Sequence, residues 1–326
     1  MNRTTSTLAS DVPRIHPALI ATTALAPIAW GTTYATTTQL LPEGAPMLTA
    51  LLRALPAGLL LLAITRTLPR GAWWWKASVL GVLNVGAFFP LLFIAAYRLP
   101  GGVAATVGAI QPLIVVSLAH VWLGERATPL KVGAGIAGVA GVALLVLTPT
   151  ARLDAIGVAA AVAGAVLMAC GVALTKAWKP PVPPLTLTAW QLTAGGIFLI
   201  PIAAIEGLPD AGFTATNVFG YLWLGLAGTA VAYSLWFRGI GSLPASVVTF
   251  LSLTTSISAA AIGWVWLGQS LTPLQIAGGV LALGAIAAGA LFSRPAAVPS
   301  ECPTPLADTP SDALVPERIA AKTTRA

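Results

Sequence analysis

The stretch Val121-Trp-Leu-Gly-Glu-Arg-Ala-Thr-Pro-Leu130 returns 144 positions later as Val265-Trp-Leu-Gly-Gln-Ser-Leu-Thr-Pro-Leu274. The same offset pairs Leu99-Pro100 with Leu243-Pro244. Self-similarity at a fixed spacing is the sequence signature of a repeated structural unit. The chain therefore contains two copies of one unit, and the number of helices in that unit decides the architecture.

The composition predicts that both copies lie in a membrane. The chain has 326 residues, of which 57% are apolar and 8% are charged, whereas water-soluble proteins carry about 25% charged residues. Ten apolar runs approach the ~20 residues that a helix needs to cross a hydrocarbon core of about 30 Å. They lie near residues 18–41, 46–65, 74–97, 101–123 and 129–148, and near 155–178, 184–205, 216–238, 243–267 and 273–292.

The predicted fold is all-α and integral to the membrane, with ten transmembrane helices arranged as two inverted five-helix repeats. The first repeat covers residues 18–148 and the second covers residues 155–292. Residues 1–17 and 293–326 are predicted to be cytoplasmic tails, the second of them disordered because it is rich in Pro, Ser, Thr and acidic residues. Since five is odd, the second repeat must enter the bilayer from the opposite side, which is a recurring construction of secondary transporters.

The placement of Lys and Arg tests this inversion independently. Arg66, Arg70 and Lys76 follow predicted helix 2, whereas the equivalent loop after predicted helix 7 carries no Lys or Arg. With both termini inside, fourteen Lys and Arg residues lie on the cytoplasmic side and two lie outside. The positive-inside rule therefore predicts a multi-pass protein of the cell membrane with both termini in the cytoplasm. The scatter of this basic charge between apolar runs also argues against a nucleic-acid partner.

Several stretches carry a resemblance to a known family. Trp30-Gly31 lies in predicted helix 1, Arg53 lies in predicted helix 2, and Gln111-Pro112-Leu113 precedes Trp122-Leu-Gly-Glu-Arg126 and a Gly-rich fifth helix. Over residues 18–292 the chain resembles the drug/metabolite transporter superfamily, of the ten-helix EamA type with two EamA domains. The resemblance implies export or exchange of small metabolites, often amino acids, through a central cavity between the repeats.

Arg53 is the clearest functional candidate, because an ionisable side chain inside a membrane is costly to bury. Its guanidinium is predicted to bind an anionic group in the cavity, or else to reach the interface on its long stem or to pair with backbone carbonyls. At an offset of 138 its partner in the second copy is Gln191. Other polar and aromatic residues deep in the helices either line the cavity or support packing. The predicted cavity residues are Trp30, Tyr34, Arg53, Asn84, Gln111, Trp190, Gln191 and Tyr233.

Prolines inside the first four predicted helices are candidate hinges, because proline bends a helix at a defined place. Static kinks that aid packing are the alternative interpretation. These prolines are Pro27, Pro56, Pro90 and Pro112.

Small residues recur at four-residue spacing in the last helix of each copy, a pattern that favours close helix packing in lipid. A homodimer through predicted helix 5 or 10 is left open by this pattern. The stripe comprises Gly133, Ala137 and Gly141, together with Gly284 and Ala288.

The predicted function is a secondary transporter that exports or exchanges a small metabolite, an amino acid or a similar zwitterion or anion, by alternating access. Efflux of lipophilic drugs is the alternative, and a polytopic membrane enzyme or a scaffold is a remote one. No catalytic residue, metal site or cofactor is predicted, because the helices hold no His-Glu-x-x-His motif and no paired aspartates. The predicted partners are a small-molecule substrate and the lipid bilayer.

Overall fold

The computed structural model describes residues 17–42, 44–99, 107–124, 127–146, 154–208, 212–266 and 272–292. Within these ranges the chain forms ten successive helical stretches and no strand. Of the predicted tails, residues 1–16 and 293–326 lie outside the described residues, whereas Pro17 begins the first helix. The first half comprises α1 (Pro17–Gly31 continued by Thr33–Leu40), α2 (Pro46–Thr65), α3 (Trp73–Arg98), α4 (Gln111–Leu123) and α5 (Pro129–Val146), and the second comprises α6 (Ala155–Trp178), α7 (Pro184–Glu206), α8 (Ala215–Ser242), α9 (Ala245–Trp266) and α10 (Pro273–Phe292).

The prediction of an all-α membrane fold is confirmed. Among the described residues, α2, α3, α6, α7, α8 and α9 are long and apolar enough to cross a membrane, and shorter apolar helices occupy α4, α5 and α10. The bounds of α2, α6 and α10 are those predicted. The predicted end of α8 at Arg238 is too early, since the helix continues to Ser242. Leu243 and Pro244 end it there, because a residue that precedes proline is pushed out of the helical conformation.

The helices of the two halves pack in a two-fold pattern. α2 packs chiefly on α7, and α5 packs chiefly on α10, so that helices at equivalent places in the two copies are direct neighbours. α1 packs on α8 and α9, just as α6 packs on α3 and α4. An exchange of the two sets of five helices therefore reproduces the same set of principal neighbours.

Equivalent helices run antiparallel where they touch. Gly58 of α2 lies against the backbone of α7 at Thr193, and Gly196 of α7 lies against Leu55 of α2. The offset of 138 converts the first of these contacts into the second, so they are one contact seen from each half. A Cβ at either glycine would collide with the other helix, which is why only glycine permits this approach. Opposed chain directions of equivalent helices are what an inverted repeat requires.

The small-residue stripe of α5 and α10 packs only in part as predicted. Gly141 lies against the backbone of α10 at Gly278 and Ala282, in close helix packing. The prediction that Gly133 and Gly284 pack against a neighbouring helix of this chain is wrong, because both are exposed and have open space where a Cβ would stand. Four residues advance a helix by about 400°, so a stripe at this spacing rotates by about 40° per step. Its two ends therefore face different surroundings.

Several helices are irregular near their middle. α1 is interrupted at Thr32, α3 contains a π-helical segment at Val82–Gly86, and α8 contains one at Trp223–Val231. The offset of 144 carries the first π-helical segment onto residues 226–230, which lie inside the second. A π-helical turn shifts the backbone hydrogen bonds by one residue and is frequent at functional sites. This irregularity therefore belongs to the repeated unit.

The four candidate hinge prolines occupy different kinds of position. Pro27 lies inside the first part of α1 and Pro56 lies inside α2, as predicted, and Pro90 closely follows the π-helical segment of α3. Pro112 lies in the first turn of the segment Gln111–Leu123, which follows helical residues 107 and 108 after a break at residues 109 and 110. In the first turn of a helix the missing N–H of proline costs no hydrogen bond. Hinge function stays a prediction for all four.

Candidate functional site

A cavity of about 140 Å³ lies between the two halves. Residues of α1, α2, α3 and α4 line it together with residues of α6, α8 and α9. α3 and α6 supply a wall of small and apolar side chains, whereas α1, α2, α4, α8 and α9 supply polar and aromatic groups. The apolar wall includes Phe88, Leu92, Ala160, Gly164 and Met168, and the polar wall includes Thr33, Arg53, Gln111, Tyr233, Trp236 and Ser256.

Arg53 is the only cationic residue in the described lining of this cavity, and its side chain is 1% exposed. Its Nε donates to Oγ1 of Thr229 at 2.9 Å, and its Nη2 donates to the carbonyl oxygen of Gly228 at 3.1 Å. The guanidinium carbon stands 4.6 Å from the centre of the Phe89 ring. Nη1 has no hydrogen-bond partner among the described residues. One charged donor is therefore held in place with part of its capacity unused.

The π-helical segment of α8 supplies the acceptor that holds Arg53. The carbonyl oxygen of Gly228 also accepts a hydrogen bond from Nε1 of Trp30 at 2.9 Å. The Trp30 ring packs on the rings of Tyr233 and Trp236, with centroid distances of 5.0 and 5.1 Å. One backbone carbonyl thus joins α1, α2 and α8, and three aromatic rings enclose the junction.

The structure brings five of the eight predicted cavity residues together and places three elsewhere. Nδ2 of Asn84 donates to Oε1 of Gln191 at 2.6 Å, and both residues are fully buried between α3 and α7. Nε1 of Trp190 donates to the carbonyl oxygen of Thr67 at 2.6 Å. These three polar groups lie outside the cavity: the amide pair connects α3 with α7, and Trp190 connects α7 with the loop that follows α2. The predicted residues that do line the cavity are Trp30, Tyr34, Arg53, Gln111 and Tyr233.

Sequence reasoning missed several buried residues of the lining, among them two with an unused polar atom, Thr33 and Trp236. Trp236 is fully buried, and neither its Nε1 nor Oγ1 of Thr33 has a hydrogen-bond partner among the described residues. Trp236 lies three residues after Tyr233 in one helix, and residues three apart share a helix face. This spacing was the available signal for Trp236. For Thr33 it fails, because the break at Thr32 separates it from Trp30.

The described carboxylates lie at helix ends, away from the cavity. Asp154 accepts the backbone N–H of Gly157 at 2.8 Å and pairs with Arg98 at 3.5 Å. Glu206 accepts the backbone N–H groups of residues 47 and 48 at the start of α2. A helix N-terminus carries partial positive charge, which favours a carboxylate there. The described lining of the cavity therefore contains a cation and no carboxylate.

Comparisons with known proteins agree with this architecture. The model of the EamA-like transporter family matches residues 18–147 and 155–288. Protein PecM of Dickeya dadantii is 42% identical over 264 residues, which cover 80% of this chain and 88% of PecM. A protein named "Probable terminal-alkyne amino-acid exporter" of Streptantibioticus cattleyicolor is 26% identical over 64% of this chain and 70% of its own length. One solved structure, 19% identical, has the same fold with a TM-score of 0.73 over 86% of this chain and 99% of its own.

Proposed function

Because the chain belongs to the EamA-like transporter family, we propose that it is a secondary transporter that carries a small metabolite across the cell membrane by alternating access. The observation that carries this proposal is the cavity between two antiparallel sets of helices, with the buried cation Arg53 in its wall. Trp30, Tyr34, Gln111 and Tyr233 complete the substrate-contacting set. Both termini lie in the cytoplasm, in keeping with the distribution of Lys and Arg.

The two-fold packing supplies a mechanism for alternating access. α1 meets α8 and α9 in the same manner as α6 meets α3 and α4. In inverted-repeat transporters, rocking of one repeat against the other exchanges the two arrangements and opens the site to opposite sides. The α2–α7 contact, where glycines bring the backbones together, lies near the axis of that exchange. The interrupted and π-helical segments are where the helices bend.

The size of the cavity supports a small metabolite as substrate. A cavity of about 150 Å³ can bind a molecule the size of benzene, so a volume of about 140 Å³ accepts a compact organic molecule. This is the scale of an amino acid or a similar small molecule. The relative of Streptantibioticus cattleyicolor that is named "Probable terminal-alkyne amino-acid exporter", 26% identical, supports a substrate of this size.

Flux measurements on proteoliposomes test the transport proposal. The full chain is reconstituted with a labelled pool of small metabolites inside, and efflux is compared with that of empty liposomes. Ala161→Trp fills the cavity and is expected to abolish efflux, whereas Ala159→Trp, on the exposed face of the same helix, is expected to retain it. Absence of efflux for every metabolite, or equal efflux from both variants, would count against the proposal.

Efflux of lipophilic compounds is the second candidate function. The enclosed cluster of Trp30, Tyr233 and Trp236 favours it, because aromatic rings bind flat apolar molecules and cations. Expression in a drug-sensitive host separates the two candidates. Resistance to several unrelated lipophilic cations, without any metabolite flux in proteoliposomes, would select this second function.

A further inference from the structure

Residues in the wall of the cavity hold hydrogen-bonding capacity that the protein itself does not use. Nη1 of Arg53, Nε2 of Gln111, Nε1 of Trp236 and Oγ1 of Thr33 are all buried and have no partner among the described residues. The guanidinium, amide and indole nitrogens can only donate hydrogen bonds, and the hydroxyl can do so as well. A buried donor without an acceptor destabilises a protein. The presence of several unpartnered donors in residues that line one cavity indicates a ligand that supplies hydrogen-bond acceptors.

The same wall offers a positively charged group no anionic partner among the described residues. Its described lining contains no carboxylate. The carbonyl oxygen of Gly228 already accepts hydrogen bonds from Trp30 and Arg53. The guanidinium of Arg53 lies over the Phe89 ring, so this aromatic face is occupied by a cation of the protein. An ammonium group that entered would lose its hydration and would face Arg53 as a like charge.

The remaining wall suits an apolar body. Phe88, Leu92 and Met168 face the cavity together with Ala160, Ala161 and Gly164. Small side chains on α6 opposite larger ones on α3 leave room for a short branched or aromatic group. Burial of such a group stabilises the bound state in proportion to the apolar area removed from water, without any requirement for polar partners.

We propose that the transported substrate is an organic acid without an ammonium group, that is, a carboxylate attached to a compact apolar body. This inference rests on the proposed transport function and narrows its substrate class. A carboxylate offers about four lone-pair sites and no donor, which complements a wall that holds one cation and several unused donors. An amino acid presents the same carboxylate, but its ammonium group finds no anionic partner in the described wall. The site therefore discriminates against zwitterions of the same shape.

Two matched sets of ligands test this substrate class. The first set is 3-phenylpropionate, phenylalanine and phenethylamine, and the second is 4-methylpentanoate, leucine and 3-methylbutylamine. Within each set the apolar body is shared and only the charged groups differ. Binding to the purified full chain is measured by thermal shift and calorimetry, and flux is measured in proteoliposomes. In at least one set we expect the acid to bind about tenfold or more tightly than the amino acid or the amine and to be transported.

The outcomes separate this inference from the transport proposal. Equal or tighter binding of the amino acid or the amine overturns the organic-acid class, and so does efflux of other metabolites when neither acid binds nor moves. Absence of flux for every compound counts against the transport proposal, even where an acid binds.

Two tryptophans provide a matched pair of variants. Trp236→Phe removes an unused N–H, so we expect acid affinity to fall several-fold and the ligand-free protein to lose less thermal stability than Trp190→Phe does, because both variants lose the same ring volume and only the second breaks a hydrogen bond. Trp190→Phe removes an N–H that is bonded to Thr67, so we expect a loss of stability with acid affinity unchanged. A structural role for Trp236 would give the second pattern for both variants and would overturn the assignment of its N–H to the ligand.

Arg53→Met tests the charge itself. We expect acid affinity to fall by about tenfold or more and amine affinity to stay the same or rise, because the like charge is gone. A parallel loss for acid and amine would indicate collapse of the site and would overturn the role of Arg53 as the anion partner.

Discussion

Arg53 and Gln191 occupy equivalent positions in the two halves, yet they meet different chemistry. Arg53 of α2 reaches Gly228 and Thr229 in the π-helical segment of α8. Gln191 of α7 reaches Asn84 in the π-helical segment of α3, and the offset of 144 makes residue 84 the counterpart of residue 228. Two equivalent pairs of helices, α2 with α8 and α7 with α3, therefore make equivalent contacts. The contact of α2 with α8 places a charged donor at the cavity, and the contact of α7 with α3 forms a neutral amide pair outside it.

The difference follows from the side chain at one position of the repeat. Gly228 leaves room for the end of the Arg53 side chain, whose Nη2 lies 3.9 Å from the place that a Cβ would take. Asn84 fills the equivalent space and lies so close to α6 that a Cβ on Gly171 would collide with its amide. The repeated fold thus provides two equivalent places, and side-chain volume decides which of them becomes a site. Substitutions that exchange these features test this interpretation.

The largest expected effect comes from giving the first half the chemistry of the second. The double variant Arg53→Gln with Gly228→Asn replaces the cation by a neutral amide pair. We expect the protein to fold, because a Cβ at Gly228 would meet atoms only at ordinary contact distances, and we expect transport to fall by roughly 100-fold, since a hydrogen bond to a charged group contributes about 1.5–3 kcal/mol. Thermal unfolding and proteoliposome flux measure both quantities. Flux near that of the unmodified protein would show that the asymmetry has no functional meaning.

A large effect on stability is expected at Gly171. Gly171→Val places a side chain where the amide of Asn84 lies, and overpacking of this kind costs about 1–3 kcal/mol. The double variant Gly171→Val with Asn84→Ala restores space, so it should recover part of the loss. Thermal unfolding of both variants is the measurement. A single variant as stable as the unmodified protein would contradict the close fit of α3 and α6.

The amide pair itself offers a smaller effect. Asn84→Leu alone leaves Oε1 of Gln191 buried without its donor, which costs about 1–3 kcal/mol. The double variant Asn84→Leu with Gln191→Leu should regain most of it, because Oδ1 of Asn84 and Nε2 of Gln191 already lack partners. A double-mutant cycle by thermal unfolding measures the coupling. Transport should persist in the double variant, and its loss would place this pair within the site after all.

The bounds of most helices could be predicted from the sequence, whereas the division between site and amide pair could not. Runs of about twenty apolar residues bounded by Pro and Gly fix α2, α6 and α10 closely. The repeat predicted that Arg53 and Gln191 are equivalent, but not that their partners differ. Those partners lie more than 100 positions away in sequence. Which face of α3 or α8 they occupy depends on the π-helical segments, and apolar periodicity carries no sign of these.

The smallest expected effect concerns how the two π-helical segments bend. Pro90 in α3 and Ser234 in α8 are equivalent at the offset of 144, and Oγ of Ser234 donates to the carbonyl oxygen of Ala230. Proline removes a backbone donor, and a serine bonded to the carbonyl four residues back often bends a helix. If Pro90 is a hinge, Pro90→Ala should change the transport rate a few-fold and leave substrate affinity unaltered, whereas Ser234→Ala should change the free energy of unfolding by no more than about 0.5 kcal/mol. Flux and binding measured on the same preparations distinguish rate from affinity. Equal rates for Pro90→Ala and the unmodified protein would assign the proline to static packing, and the flexibility of both halves would then rest on the π-helical turns alone.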